Sequence, residues 1–208
     1  VDLFSQITLE NFYGIEYADF AAETAKVSLR IAEQQMDAVY GEKFHKPVSV
    51  LPLREAPNIH KGSALSVPWE EVCNATNNSE VYICGNPPYL GPSSRNEEQH
   101  NEQSMVMEGK ITNGSRKLDY VCNWFVLAKD YCSSKKNSGF ALVSTNSVSQ
   151  GVYVNSLWPY LIDGKMEISF AYTSFKWSNL AGKNAGVTCV IIGMQSVSNK
   201  TKRLFFNG

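Results

Sequence analysis

Val81-Tyr82-Ile83-Cys84 is an apolar, β-prone run that stops at Gly85-Asn86-Pro87-Pro88-Tyr89, and this junction constrains the fold more than any other stretch. Proline has no backbone N–H and a fixed φ, so two in succession end a strand and cannot sit inside a ladder. The residue before each proline is pushed toward extended geometry. The run therefore reads as a buried strand with a rigid polar tip, on which the Asn86 amide and the Tyr89 ring have little conformational freedom. In an open α/β sheet ligands bind at the carboxyl ends of the strands, where this tip would lie.

The tip suits a planar substrate carrying an exocyclic amine. The Asn86 side-chain oxygen and the Pro87 carbonyl can each accept a hydrogen bond from that amine, and Tyr89 offers a face for stacking. A plain strand-ending Pro-Pro turn, with Asn as a turn former, is the competing reading. Four residues alone do not decide between them.

The 208 residues, 43% of them hydrophobic, are enough for one sizeable core. A net charge of -1 and a pI near 6.4 exclude the basic footprint of a chain that binds DNA strongly by itself. Cys73, Cys84, Cys122, Cys132 and Cys189 are odd in number, widely spaced and without a Cys-x-x-Cys pair, which fits reduced thiols in a cytoplasmic protein rather than a disulfide frame or a zinc site. His45, His60 and His100 are far apart in polar surroundings, so no metal site is expected. No apolar run approaches membrane-spanning length, and no membrane partner is expected.

In chain order, residues 11–17 read as a short buried strand delivering the carboxylate of Glu16. Residues 18–40 read as the clearest helix, closed by Gly41. A strand ending in an acid and followed at once by a helix is a βα unit of the nucleotide-binding kind, in which such an acid binds ribose hydroxyls; a helix-start acid favoured by the macrodipole is the plainer reading. Residues 42–57, with three prolines, read as connection, residues 58–65 as a short strand and loop, and residues 68–72 as a helical turn begun by Pro68. Residues 90–116 are rich in Asn, Glu, Gln, Ser and Gly, which predicts a mobile loop or lid beside the site with a helical piece over 97–108. Helices follow over 117–132 and 153–162, the latter interrupted by Pro159, with strands over 139–146, 167–175 and 186–193, the last two an antiparallel pair across a polar connection at 176–184. This order predicts an α/β sheet, mostly parallel with one reversed strand.

Five stretches, residues 11–17, 62–65, 85–91, 142–151 and 170–179, resemble in type and order the motifs of the gamma-class N6-adenine DNA methyltransferases, in particular the methyltransferase region of large single-chain type II restriction and modification enzymes. The resemblance covers nearly the whole chain. It implies a Rossmann-like sheet that uses S-adenosylmethionine, with Glu16 on the cofactor's ribose hydroxyls, Tyr17 beside its adenine, and Ser63, Ala64 and Asn86 also at the cofactor. It further implies that Asn86, Pro87 and Tyr89 grip a flipped adenine, with Phe175 against the base's other face and methyl transfer direct to N6.

Two departures qualify it. Ser63 stands where the family usually has an acid, and residues 1–10 contain no glycine where the family's glycine-rich loop should precede Glu16. The first βα unit is therefore expected to be lacking, and residues 1–208 to be a partial catalytic domain without the cofactor loop before it and the target-recognition domain after it. Such a fragment would be inactive alone, engaging DNA and cofactor through the full-length enzyme. In the family's sheet the missing strand lies between the strands at 11–17 and 81–84, so the fragment's partners would be the absent regions of the same chain or a second copy completing the sheet. Competing functions are methylation of a protein glutamine, of cytosine N4 or of RNA, and a non-catalytic α/β interaction module.

Overall fold

The described residues of a computed structural model, 7–45, 57–176 and 186–206, divide after Asn74 into two units, each with its own sheet. The expected connections at 46–56 and 177–184, most of the glycine-free start, and the end of the motif at 170–179 lie outside the described residues.

In the first unit β1 (Tyr13–Glu16) pairs in parallel with β2 (Asn58–Lys61), Tyr13 opposite Asn58 and Glu16 opposite Lys61. Between them α1 spans Asp19–Phe44. The helix does not stop at Gly41. It runs one turn further and ends on His45 in the left-handed conformation (φ 51°), whose N–H reaches the Gly41 carbonyl. A helical glycine costs only about 1 kcal/mol, and the Tyr40 and Phe44 rings, one turn apart, pack on each other at 4.6 Å. The unit is less buried than its sequence implies, with Phe12, Tyr13, Phe20, Val27 and Ile31 all exposed. A two-stranded sheet offers too little area to cover a 26-residue helix. Pro68 begins the short α2 (Trp69–Val72), as expected.

The second unit holds β3 (Tyr82–Gly85), α3 (Glu97–Met107), α4 (Cys122–Ser133), β4 (Gly139–Thr145), α5 (Val152–Ser156), α6 (Trp158–Leu161), β5 (Met166–Lys176), β6 (Thr188–Ser196) and β7 (Arg203–Phe205). Its sheet runs β3-β4-β6-β5-β7, with β6 antiparallel to both neighbours and every other pair parallel. The chain is thus α/β with mixed sheets, and one strand is reversed in the larger one. Strand β7 was not expected from the sequence. The helix expected over 153–162 is split at Leu157, and Pro159 is tolerated in the first turn of α6, where its missing N–H would have no helical partner.

Strand β3 is not the buried strand its apolar run implies. Among the described residues it pairs only with β4, and Tyr82 is 75% exposed. An apolar run four residues long reads the same at an edge as at a centre; neighbours decide, and β3 has one. The core lies instead between α4 and the sheet, where Phe125, Val126, Ala128 and Cys132 are fully buried and the Phe125 ring meets Phe140 edge-on at 6.1 Å.

The polar stretch at 90–116 is not a mobile lid. Its helix α3 forms close to the expected limits, capped by a reciprocal pair in which the Asn96 side chain accepts from the Gln99 N–H and the Gln99 side chain from the Asn96 N–H. Arg95 and Gln103 are buried. Arg95 Nη1 donates to Gln103 Oε1, Arg95 Nη2 to the Arg116 carbonyl at 3.0 Å, and Gln103 Nε2 to the Ser115 carbonyl at 2.7 Å. These polar side chains bond inward to backbone, which pins the segment at both ends. Composition cannot distinguish that from solvation.

Two glycines let β6 sit close to its neighbours. A Cβ on Gly193 would overlap the Phe170 ring that lies across it, and a Cβ on Gly139 would stand 2.6 Å from the Met194 carbonyl oxygen. Backbone cannot swing aside as a side chain can. Gly139→Ala should therefore lower the unfolding free energy by about 1–3 kcal/mol, measured by urea denaturation; an unchanged midpoint would refute the close β4–β6 approach.

Candidate functional site

At the carboxyl end of β3 the chain turns out through Asn86, which is exposed, while Pro87 is buried and Tyr89 half-buried. The buried proline anchors the turn and leaves the Asn86 amide at the surface. Tyr89 Oη donates a hydrogen bond to Asn86 Oδ1. The Cys189 thiol also lies within reach of the Tyr89 hydroxyl, but sulfur is a weak acceptor, so the phenol proton goes to the amide oxygen. Burial, reinforced by the neighbouring Cys189 and Asp119, pushes the Tyr89 phenol well above its ordinary value and keeps it a donor.

The sheet register brings further residues to this end. β3 and β4 run parallel, so the end of β4, Thr145, lies on the same side as Gly85; Thr145 pairs with Cys189 of β6, and Cys189 pairs with Phe175 of β5. Phe175 reaches that position through a bulge. Between Tyr172 and Phe175 the strand advances three residues while β6 advances two, from Ile191 to Cys189. The extra residue places Phe175, rather than Ser174, across from Cys189. Asn146, just past β4, accepts from Ser174 Oγ at 2.9 Å and from Ser149 Oγ at 3.2 Å through its Oδ1, fastening the bulged end of β5 to β4. Asn86, Pro87, Tyr89 and Phe175 therefore gather at one end of the larger sheet. Cys189 and Asn146 join them there; Asn146 falls within the motif at 142–151, whereas nothing around Cys189 marks it and register brings it in.

The other predicted residues gather in the first unit. Glu16 ends β1, its backbone carbonyl accepts from the Gly62 N–H at 2.9 Å, and its Oε1 accepts from the Ala18 N–H at 3.2 Å. Lys61, across the ladder, pairs with Asp19 at 2.6 Å, and among the described residues no ion pair involves Glu16. Tyr17 is 75% exposed. Ser63 caps the turn after β2, its carbonyl accepting from Ser66 and Val67 and its hydroxyl from the Leu65 N–H, while the Ala64 carbonyl takes the Trp69 indole N–H at 2.8 Å. Parallel pairing thus sets Glu16, Tyr17, Ser63 and Ala64 at one end of the small sheet.

Residues 1–206 match the family model described as MmeI, DNA-methyltransferase domain. The chain is 44% identical over 201 residues to DNA methyltransferase A of Bacillus subtilis (strain 168), an alignment covering 96% of this chain and 22% of that protein. It also superposes on the solved structure of the type IIL restriction-modification enzyme MmeI in complex with DNA, with a TM-score of 0.85 and 32% identity over 98% of this chain and 27% of that one. The chain thus spans about a quarter or less of the length of each relative.

The raised Tyr89 phenol has a spectroscopic consequence. A group whose folded value lies above its unfolded one contributes stability below the unfolded value and loses it as pH climbs toward the folded one. An ordinary tyrosine is half-ionised near pH 10, so the tyrosinate absorbance of the folded protein and of Tyr89→Phe should coincide at about that pH. Half a tyrosinate of difference there would show the phenol to be solvated.

Proposed function

The chain belongs to the MmeI DNA-methyltransferase domain family, and from that premise we propose that it carries the catalytic residues of an adenine-N6 DNA methyltransferase that uses S-adenosylmethionine. The observation that carries this reading is the prolyl tip, with an exposed amide oxygen fixed by Tyr89 at the sheet end where the Phe175 strand also terminates.

An adenine inside a duplex cannot present its N6 to any of these groups, so the base must be extruded. Asn86 Oδ1 has two lone pairs. One takes the Tyr89 hydroxyl and the other remains for an amine N–H. The Pro87 carbonyl supplies the second acceptor. Together they orient the nitrogen and favour its pyramidal form, which frees a lone pair otherwise delocalised into the purine ring. Tyr89 and Phe175 hold the ring from either face. Bringing the amine into line in this way supplies much of the acceleration. No residue of the site is required to form a covalent intermediate.

The cofactor's chemistry, when bound, is an electrophilic methyl group on a sulfonium centre. The residues of the first unit fit the polar part of such a molecule. Glu16 keeps a carboxylate with acceptor capacity at a strand end, beside the exposed Tyr17 ring and the turn at Ser63 and Ala64. Among the described residues β1 pairs only with β2 and β3 only with β4. The free edge of each is taken here as the docking place for further chain of the same protein, which in the relatives is several times longer. DNA contact by the whole protein rests on the same likeness, since a chain of net charge -1 has little attraction for phosphate of its own.

Tritiated methyl from S-adenosylmethionine should appear in adenine of duplex DNA incubated with the full-length protein. Asn86→Ala should slow that transfer by about 10²-fold or more, the loss typical of removing one oriented polar group from a transition state. Label in cytosine or in protein would reassign the substrate, and unimpaired transfer by Asn86→Ala would reduce the tip to a turn.

A further inference from the structure

We propose that Asp119 is a positioning residue, which sets the pose of Tyr89 by clamping the next residue of the chain, Leu90. The proposal deepens the methyltransferase reading, and its kinetic part rests on that reading.

Tyr89 hangs between two supports. Upstream are Pro87 and Pro88, whose φ angles are fixed by their rings. Downstream is Leu90, and both of its backbone groups are taken by consecutive residues some thirty positions away: its N–H donates to Asp119 Oδ1 at 3.0 Å, and its carbonyl accepts from the Tyr120 N–H at 3.0 Å. A residue held at both N–H and C=O by a second segment cannot rotate its peptide planes without breaking a hydrogen bond. The φ and ψ of Tyr89 are thereby bounded on both sides. The direction of its ring and its hydroxyl, which fixes Asn86 Oδ1, follows.

Asp119 is itself held firmly. It is 8% exposed, and its Oδ1 also accepts from the Val121 N–H at 3.2 Å. Its own N–H donates to Tyr153 Oη at 3.1 Å, and its carbonyl accepts from Cys122 at 3.1 Å in the turn that opens α4. The buried Arg95 guanidinium lies close enough to offset part of its charge. A carboxylate taken this far out of water is stable only when its acceptors are used.

An acid at the start of a helix is ordinarily a local cap, and the Val121 bond alone would fit that. The Leu90 bond does not, because it crosses 29 residues to the element carrying the tip. The two bonds give the proposal a clean test. Serine at 119 is long enough to serve the neighbouring Val121 N–H but too short to reach Leu90, while asparagine keeps an oxygen in the position of Oδ1 and can accept both.

The full-length protein carrying Asp119→Ser or Asp119→Asn is compared with the parent for amide exchange over residues 85–95, for single-turnover methylation of duplex DNA, for KM and for melting. Asp119→Ser should exchange the Leu90 amide at least tenfold faster and lose about 10²-fold in methyl-transfer rate, as expected of a small misplacement of a reacting group, with KM for cofactor and DNA within about threefold. Asp119→Asn should recover both to within about fivefold. Unaltered exchange in Asp119→Ser overturns the clamp. So does a defect in Asp119→Asn equal to that of Asp119→Ser, or a rate loss matched by a fall in melting temperature. If the parent places no label in adenine, the methyltransferase reading fails instead, and the exchange measurement alone decides the clamp.

Discussion

Strand β6 is the element on which the second unit depends. It is the only reversed strand in its sheet and pairs with β4 on one side and β5 on the other, seven positions of β4 being matched one for one from Gly139 to Thr145. The β4 backbone and an aromatic ring of β5 approach it closely enough that a methyl group at Gly139 or Gly193 would have no place to go. Antiparallel pairing also decides what lies at the working end of the sheet. Because β6 begins where β4 ends, Cys189 stands between Thr145 and Phe175, beside the tip of β3. A parallel strand in that slot would bring its other end there.

Around this sheet the unit is stabilised by polar groups that face inward. Arg95 and Gln103 satisfy the adjacent Arg116 and Ser115 carbonyls of one turn, and Asn123 the Tyr120 carbonyl at the start of α4. On the opposite flank Lys129, buried within α4, pairs with Asp163 at 2.9 Å and lies 4.1 Å from the centre of the Tyr160 ring. Such groups add less net stability than apolar packing of the same volume, yet removing one partner is costly because the other is left unpaired in the core. They therefore fix geometry more than they add stability. That is the property a site built on a rigid turn needs from the segment following it.

What the sequence revealed follows from the range of the interactions involved. Capping and prolyl geometry are local, so the α3 helix, the turn after β3 and the helical start at Pro68 could be read directly. Burial of a short strand is not local. Tyr82 and Phe12 belong to apolar runs, and only the absence of a second neighbouring strand among the described residues leaves them exposed. The end of α1 lies beyond Gly41 because a glycine costs a helix little, and the Tyr40–Phe44 ring contact one turn apart supports the added turn. The polar stretch at 90–116 was misread because a buried, hydrogen-bonded arginine and a solvated one look alike in composition. The residues of the tip were legible as a motif. Cys189 and Asp119 were not, since register and a bond across 29 residues place them.

The hydrogen bond from Tyr89 to Asn86 bears on why the tip carries a phenol rather than a plain ring. An asparagine amide can present either its oxygen or its NH2 to a given direction, and the two differ little in shape. A neighbouring hydroxyl that donates its proton to the oxygen sets which end faces it. Burial holds the Tyr89 phenol protonated well beyond its ordinary range, so its proton stays available, and in the structure it goes to the amide oxygen, which faces the ring hydroxyl. With the oxygen fixed at that corner, its second lone pair is left for the amine of the proposed substrate. The NH2 group, which would repel such an amine, is turned away. A phenylalanine would stack as well and leave the amide free to rotate; the hydroxyl's contribution at this position is the orientation of its neighbour.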